Sequence, residues 1–234
     1  MKLLVLAGGK GSRLKKEVPH LPKALAPING IPFIDFQMEN WIKQGVKSFV
    51  FILHYEYLLI QKHLSQKYSE MVNDGLISFV VEPTPLDTGG AVKNAILELD
   101  ITENFLLINA DTWLGDGLFS TWTNNAPSMG IIKVEDISRF GEVKFDKNIV
   151  ISFEEKIGVN KSGYINAGIS CLDPKLFEMI DLKIFSLEKD LFPKLVKKDL
   201  LKALKINADF IDIGIPSDYN RFCKWIESNK KNVL

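Results

Sequence analysis

Three glycines and a guanidinium lie together near the start of the chain, in Leu6-Ala7-Gly8-Gly9-Lys10-Gly11-Ser12-Arg13, and Pro22-Lys23 adds a further cation. Such a run can hold phosphates. Glycine amides approach anionic oxygens closely, the cations neutralise them, and a helix starting after the turn would add positive potential. The pattern G-G-x-G-x-R is not a Walker loop. A dinucleotide fingerprint started from Gly9 would need glycine at 14, where Leu14 stands. Glycines alone suit a tightly packed strand-to-helix turn equally well. Arg13 and Lys23 move the reading toward phosphate, and so toward nucleoside triphosphate chemistry.

Two aspartates could supply a divalent-ion site. Asp111 follows the apolar run Phe105–Asn109, and ligands of open α/β sheets bind beyond the carboxyl ends of strands. There it could hold Mg²⁺ against triphosphate oxygens. Asp212 is a lone carboxylate in Phe210-Ile211-Asp212-Ile213-Gly214, a costly place for a charge unless it is paired or metal-bound. The ordinary alternatives are an Asx turn for Asp111 and an outward-facing strand position for Asp212. Spacing cannot join the two. Three further segments carry polar groups. Glu82-Pro-Thr-Pro-Leu-Asp-Thr88-Gly89-Gly90 could press backbone groups on a planar base, or be a plain connection. Phe153-Glu-Glu155-Lys156 could bind an anion, or be a solvated turn. Tyr164-Ile-Asn166-Ala-Gly168 sets an amide beside small residues, where a hydroxylated ligand could approach, or is a tight strand entry.

The elements that must position these groups alternate. Strands are predicted at Lys2–Leu6, Ser48–Leu53, Ile77–Val81 and Phe105–Asn109. Helices are predicted at Phe33–Gln44 (ended by Gly45), Glu56–Tyr68 and Gly89–Leu99. This alternation implies crossover units and a parallel sheet. The second half is predicted to hold strands at Met129–Val134, Gly141–Phe145, Ile149–Phe153, Ala167–Leu172, Leu200–Lys205 and Phe210–Ile213. Its helices are expected at Asp173–Met179, Ser186–Leu195 and Ser217–Glu227. The expectation is a single α/β domain over residues 1–228, with a mixed part covering one edge and a frayed tail at 229–234.

With 234 residues, 46% of them apolar, the chain can bury one sizeable core. Twenty-nine Lys+Arg balance 29 Asp+Glu, which gives no support for nucleic acid or an anionic membrane as partner. No apolar window is long enough to span a bilayer, and no signal peptide is apparent, so a cytoplasmic protein is expected. Cys171 and Cys223 read as buried or free thiols, and His20, His54 and His63 lack metal-ligand spacing.

In order, the segments at Leu6–Leu14, Pro22-Lys23, Glu82-Pro83 with Thr88–Ala91, Asn109–Asp111, Phe153–Lys156, Ile165–Gly168 and Asp212–Gly214 resemble the sugar-1-phosphate nucleotidyltransferases. Within that family, the D-glycero-α-D-manno-heptose 1-phosphate guanylyltransferases are the most similar subgroup, through Lys23–Gly30, Phe185–Asp190 and Phe210–Pro216. Two positions depart from the pattern: Ala110 stands where the family has glycine, and Asp87 where the subgroup has glycine. Uridylyltransferases acting on N-acetylmuramate phosphate also tolerate an acidic residue at the latter position. The resemblance implies a Rossmann-like, GT-A-like α/β fold with a mixed, mostly parallel sheet and a small sugar-binding subregion. It implies transfer from an NTP, GTP above all, to a sugar 1-phosphate, the heptose above all, with Mg²⁺ as cofactor, and it leaves a homodimer open. The alternatives are a uridylyltransferase or other nucleotidyltransferase on a different sugar or non-sugar phosphate, and a non-catalytic nucleotide-binding member of the fold. Arg13, Lys23 and Asp111 would be catalytic, and Asp111 and Asp212 would hold the metal. Leu6, Ala7, Gly8, Gly9, Gly11, Ser12, Glu82, Thr88 and Gly89 would complete the nucleotide site. Glu155, Lys156, Asn166 and Gly168 would bind the sugar phosphate.

Overall fold

The four apolar runs of the first half are strands in the computed structural model, which describes residues 1–15, 17–124, 126–154, 158 and 160–233, the side chains of 154 and 230–233 excepted. The chain opens with β1 (Lys2–Leu6), β2 (Pro27–Ile28), β3 (Ile31–Pro32), α1 (Phe33–Lys43) and β4 (Ser48–Leu53). It continues with α2 (Tyr57–Lys67), α3 (Ser69–Asn73), β5 (Ile77–Val81), α4 (Asp87–Glu98), β6 (Phe105–Asn109) and β7 (Thr112–Leu114). Then come α5 (Leu118–Thr123), β8 (Ser128–Val134), β9 (Glu142–Asp146), β10 (Ile149–Glu154) and β11 (Gly163–Leu172). The last elements are α6 (Phe192–Val196), β12 (Lys202–Ile206), β13 (Phe210–Asp212) and α7 (Pro216–Val233).

The chain divides into two compact units. The first comprises Met1–Thr84, Ile108–Gly115 and Phe210–Leu234. In it β5, β4 and β1 lie side by side in parallel, with Leu53 opposite Val81 and Leu6 opposite Ile52. Leu3, Leu4, Val5 and Phe49–Leu53 are buried, as continuous apolar runs in a parallel sheet require. α1 ends as its sequence predicts. Gly45 turns left-handed (φ 89°), its N–H returns to the Ile42 carbonyl, and the Val46 N–H returns to that of Trp41. A separate core cluster joins Leu14, Val18, Phe33, Phe36, Trp113, Ile211, Ile213, Phe222 and Ile226, with Phe33 edge-on to Phe222 at 5.0 Å. Leu14 and Val18 thereby pin the chain just after the glycine run. Among the described residues no helix follows that run: Leu14 N–H bonds the Gly11 carbonyl in a turn, so the expected helix-start potential is absent there.

The second unit comprises Pro85–Leu107 and Asp116–Asp209. Its strands run in the order β11-β8-β12-β10-β9, with β12 parallel to β8 and the other pairs antiparallel. β9 meets β11 again, Glu142 opposite Ile165, so the five strands close on themselves. Several expected boundaries change. β11 begins at Gly163, before the expected Ala167. The helix expected from Ser186 is a π-helical turn, Leu187–Leu191, that runs into α6. In the first unit α7 continues through Val233, past residue 229, where a frayed tail was expected to start.

Candidate active site

The glycine run leaves β1 with its backbone still tied to β4. Ala7 N–H donates to the Ile52 carbonyl (2.9 Å), and Tyr55 N–H to that of Gly8 (3.3 Å). Gly8 is a glycine for want of space, since a Cβ there would stand 2.7 Å from Oε2 of Glu82 and 3.2 Å from Cβ of His54. Gly9 is open on that side. Gly11 is left-handed (φ 59°), and a Cβ on it would lie 2.6 Å from Cγ of Lys23. Its bare Cα lets the lysine stem pass. Ser12 and Arg13 are exposed, and Leu6 is half-buried.

That stem ends on Asp111: Nζ of Lys23 lies 2.6 Å from its Oδ2. Asp111 occupies the turn between β6 and β7, where Ala110 N–H donates to the Leu6 carbonyl (3.0 Å). Nε2 of the buried Gln37 donates to the carbonyls of Ala110 (3.3 Å) and Thr112 (3.0 Å), on either side of Asp111. β7 pairs antiparallel with β13, setting Asp212 opposite Thr112, and Ile213 N–H donates to the Asp111 carbonyl (3.0 Å). The two aspartates, distant in sequence, are thus on adjacent segments of the chain. Asp212 folds back so that its Oδ1 accepts from Gly214 N–H (2.7 Å), and a Cβ on Gly214 would meet that oxygen at 2.7 Å. Both carboxylates are hard oxygen donors of the type Mg²⁺ takes. Among the described residues no group of three or more His, Cys, Asp or Glu that could hold a metal ion comes together.

The other expected residues belong to the second unit. Thr88 and Gly89 lie in the first turn of α4, not in an open loop. Oγ1 of Thr88 donates to Oε2 of Glu188 (2.8 Å) and accepts from Leu187 N–H (2.9 Å). Gly89 N–H donates to the Phe185 carbonyl (2.9 Å), and a Cβ there would stand 2.2 Å from the Phe185 ring. Asn166 Oδ1 accepts from Gly168 N–H (2.8 Å), and Gly168 is left-handed (φ 75°), which breaks the β11 register. The buried Glu142 receives Lys144 (2.8 Å) and Lys161 (2.7 Å), and these hydrogen bonds hold its carboxyl below the usual range. Glu155 and Lys156 lie outside the described residues.

Sequence reading missed two features. One is an amide stripe on α1: Gln37, Asn40 and Gln44 donate to the carbonyls of Ala110, Thr112, Leu114 and Gly115. Its signal was present, as polar residues at i, i+3 and i+7 opposite the apolar face. The other is His54, considered only as a metal ligand. Its place just beyond the carboxyl end of a parallel strand was the available clue.

The nucleotidyl transferase family profile matches residues 2–229. The chain is 35% identical over 225 residues to the D-glycero-alpha-D-manno-heptose 1-phosphate guanylyltransferase of Campylobacter jejuni subsp. jejuni serotype O:2, covering 95% of this chain and 98% of that protein. It is 30% identical to the enzyme of the same name from Aneurinibacillus thermoaerophilus, covering 97% and 99%. The crystal structure of HddC from Yersinia pseudotuberculosis matches with a TM-score of 0.79 at 32% identity, covering 96% of this chain and 99% of that one. A second structure of HddC, complexed with GMP-PN, matches at 0.77. Members of the profile's family typically use a divalent metal. The α/β architecture with its mixed sheet is the Rossmann-like fold of these neighbours, and the chain belongs to the nucleotidyl transferase family.

Proposed function

We propose that this chain transfers the guanylyl group of GTP to D-glycero-α-D-manno-heptose 1-phosphate, releasing pyrophosphate and forming the GDP-sugar. The observation that carries the reading is the Lys23–Asp111 pair beside the glycine run, with Asp212 on the adjacent strand β13. The relatives' names support guanine and heptose. An oxygen of the sugar's phosphate attacks the α-phosphorus in line. As that P–O bond forms, the bond to the β-phosphate bridging oxygen breaks, and pyrophosphate leaves with its electron pair. No protein nucleophile is needed, so the chain must align and neutralise two anions.

Amides of Gly8, Gly9, Gly11 and Ser12 face the triphosphate, and the exposed Arg13 holds the β- and γ-phosphates through to pyrophosphate. Lys23 neutralises oxygens near the reacting phosphorus. Asp111 and Asp212, both hard oxygen donors, would hold Mg²⁺, which would supply further neutralisation of phosphate charge. Glu82 accepts from the N–H edge of guanine. Asn166, whose Oδ1 is committed to Gly168, offers its Nδ2 hydrogens to a sugar hydroxyl, and Lys156 with Glu155 grips the sugar phosphate. Thr88 and Gly89 fix the first turn of α4. The test is a panel of GTP, UTP, CTP and ATP against several sugar 1-phosphates, read by pyrophosphate release. GTP with the manno-configured heptose 1-phosphate is the expected best pair. Equal or better kcat/KM with UTP refutes guanine.

A further inference from the structure

His54 follows β4 directly, and its side chain stands where a backbone donor belongs. Bonds of a parallel ladder alternate between strands at even spacing. Glu82 N–H donates to the Leu53 carbonyl (2.8 Å), so the next bond would run from Tyr55 N–H to the Glu82 carbonyl. Tyr55 N–H goes to Gly8 instead, and Nδ1 of His54 lies 3.2 Å from the Glu82 carbonyl oxygen. A carbonyl only accepts, so Nδ1 carries a hydrogen whether the ring is neutral or charged. The imidazole takes over the amide's bond, and the amide is released to hold the glycine run. Packing closes the same arrangement: the position of a Gly8 Cβ is 3.2 Å from His54 Cβ and 2.7 Å from Oε2 of Glu82. Glu82 itself is 8% exposed and packs against these neighbours.

We infer that His54 is a positioning residue for base selection, fixing Glu82 against the glycine run through its Nδ1 hydrogen bond. This rests on the proposed reading that Glu82 addresses the base. His54 need touch no reacting atom.

The experiment compares wild type with His54→Ala, His54→Asn and His54→Gln. Steady-state kinetics with GTP and with UTP are measured for each, and thermal midpoints are recorded alongside. Asn places an amide nitrogen near the position of Nδ1, whereas Gln carries it one bond farther out. Loss of one buried hydrogen bond at the base reader should lower the GTP-to-UTP ratio of kcat/KM by about tenfold in the Ala and Gln proteins. Asn should recover most of it. A purely structural role would lower the midpoint and leave the ratio alone. An unchanged ratio in Ala, or Asn no better than Gln, overturns the inference. If Ala does not fold, the Asn–Gln comparison decides. Should wild type prefer UTP, the guanine reading falls by itself, and the His54 inference is then judged on the loss of that UTP preference.

Discussion

Asp111 is held from three directions: its side chain by Lys23, its carbonyl by Ile213, and its flanking carbonyls by Gln37. A carboxylate so fixed loses little on becoming an amide as far as folding is concerned. Its ion pair with Lys23 is part-buried (17% and 32% side-chain exposure), and asparagine keeps an oxygen that can accept from Nζ. Its chemical role is another matter. With Asp111 as the proposed metal ligand, replacing its charged oxygen should remove several kcal/mol of transition-state stabilisation, a fall in kcat of about a hundredfold or more. Asp111→Asn and Asp212→Asn are therefore each expected to be folded and nearly inactive, and wild type to stop in EDTA and recover with Mg²⁺. Thermal melts beside turnover assays check this. Near-wild-type turnover by Asp111→Asn would remove the metal assignment.

At the level of elements, the short strand β7 depends on two different partners. One edge pairs with β13, and carbonyls of the neighbouring turn and strand are met by amide side chains of α1. The match works because alternate residues of a strand and every third or fourth residue of a helix return to one line. Gln37→Leu and Asn40→Leu should each strip buried acceptors at about 1–3 kcal/mol, lowering the thermal midpoint by several degrees. Their effects on catalysis should part. Gln37 brackets Asp111, so its loss should also lower kcat, by about tenfold or more for a small misplacement. Asn40 serves Leu114, farther along β7, and its loss should leave kcat within about twofold of wild type. Equal kcat in the two variants would mean the stripe stabilises β7 without placing the aspartate.

Across the whole molecule the formal charge is zero, 29 against 29, so no large charge imbalance sets its response to pH. Particular buried groups do. Burial pushes the Cys171 thiol up to about 11 from its ordinary 9.0 and the Tyr219 hydroxyl to about 12 from 10.0; Tyr68 is raised as well, by burial first and then by Asp35 and Glu39. Each stays neutral in the fold where the unfolded chain would release its proton. The unfolded state then binds fewer protons, so stability falls as pH rises. The contribution is intact below pH 9 and is lost from about pH 9 to 12. The thermal midpoint should decline over that interval, and a Cys171→Ala protein should show a shallower decline between pH 9 and 11. Identical slopes in the two proteins would show that the thiol is not responsible.

Local order sufficed for much of this. The apolar runs of the first half are the expected strands, Gly45 ends α1 as its conformational freedom requires, and the residue types around Gly8, Lys23 and Asp111 announced phosphate chemistry in sequence alone. Periodicity and turn residues act within a few positions, so they survive in a one-dimensional reading. What the sequence could not supply was pairing. Asp111 and Asp212 become neighbours through three-residue strands too short to carry a pattern, and Gln37 reaches its carbonyls across more than seventy positions. Gly89, expected at a ligand, is also required by packing, because Phe185 fills the space a side chain would need. His54 drew notice only as an imidazole without companions, and its role depends on a backbone bond that the neighbouring residue gives to Gly8. Each of these was decided by the tertiary structure, because hydrogen-bond and steric partners are chosen by proximity in space, which spacing along the chain does not encode.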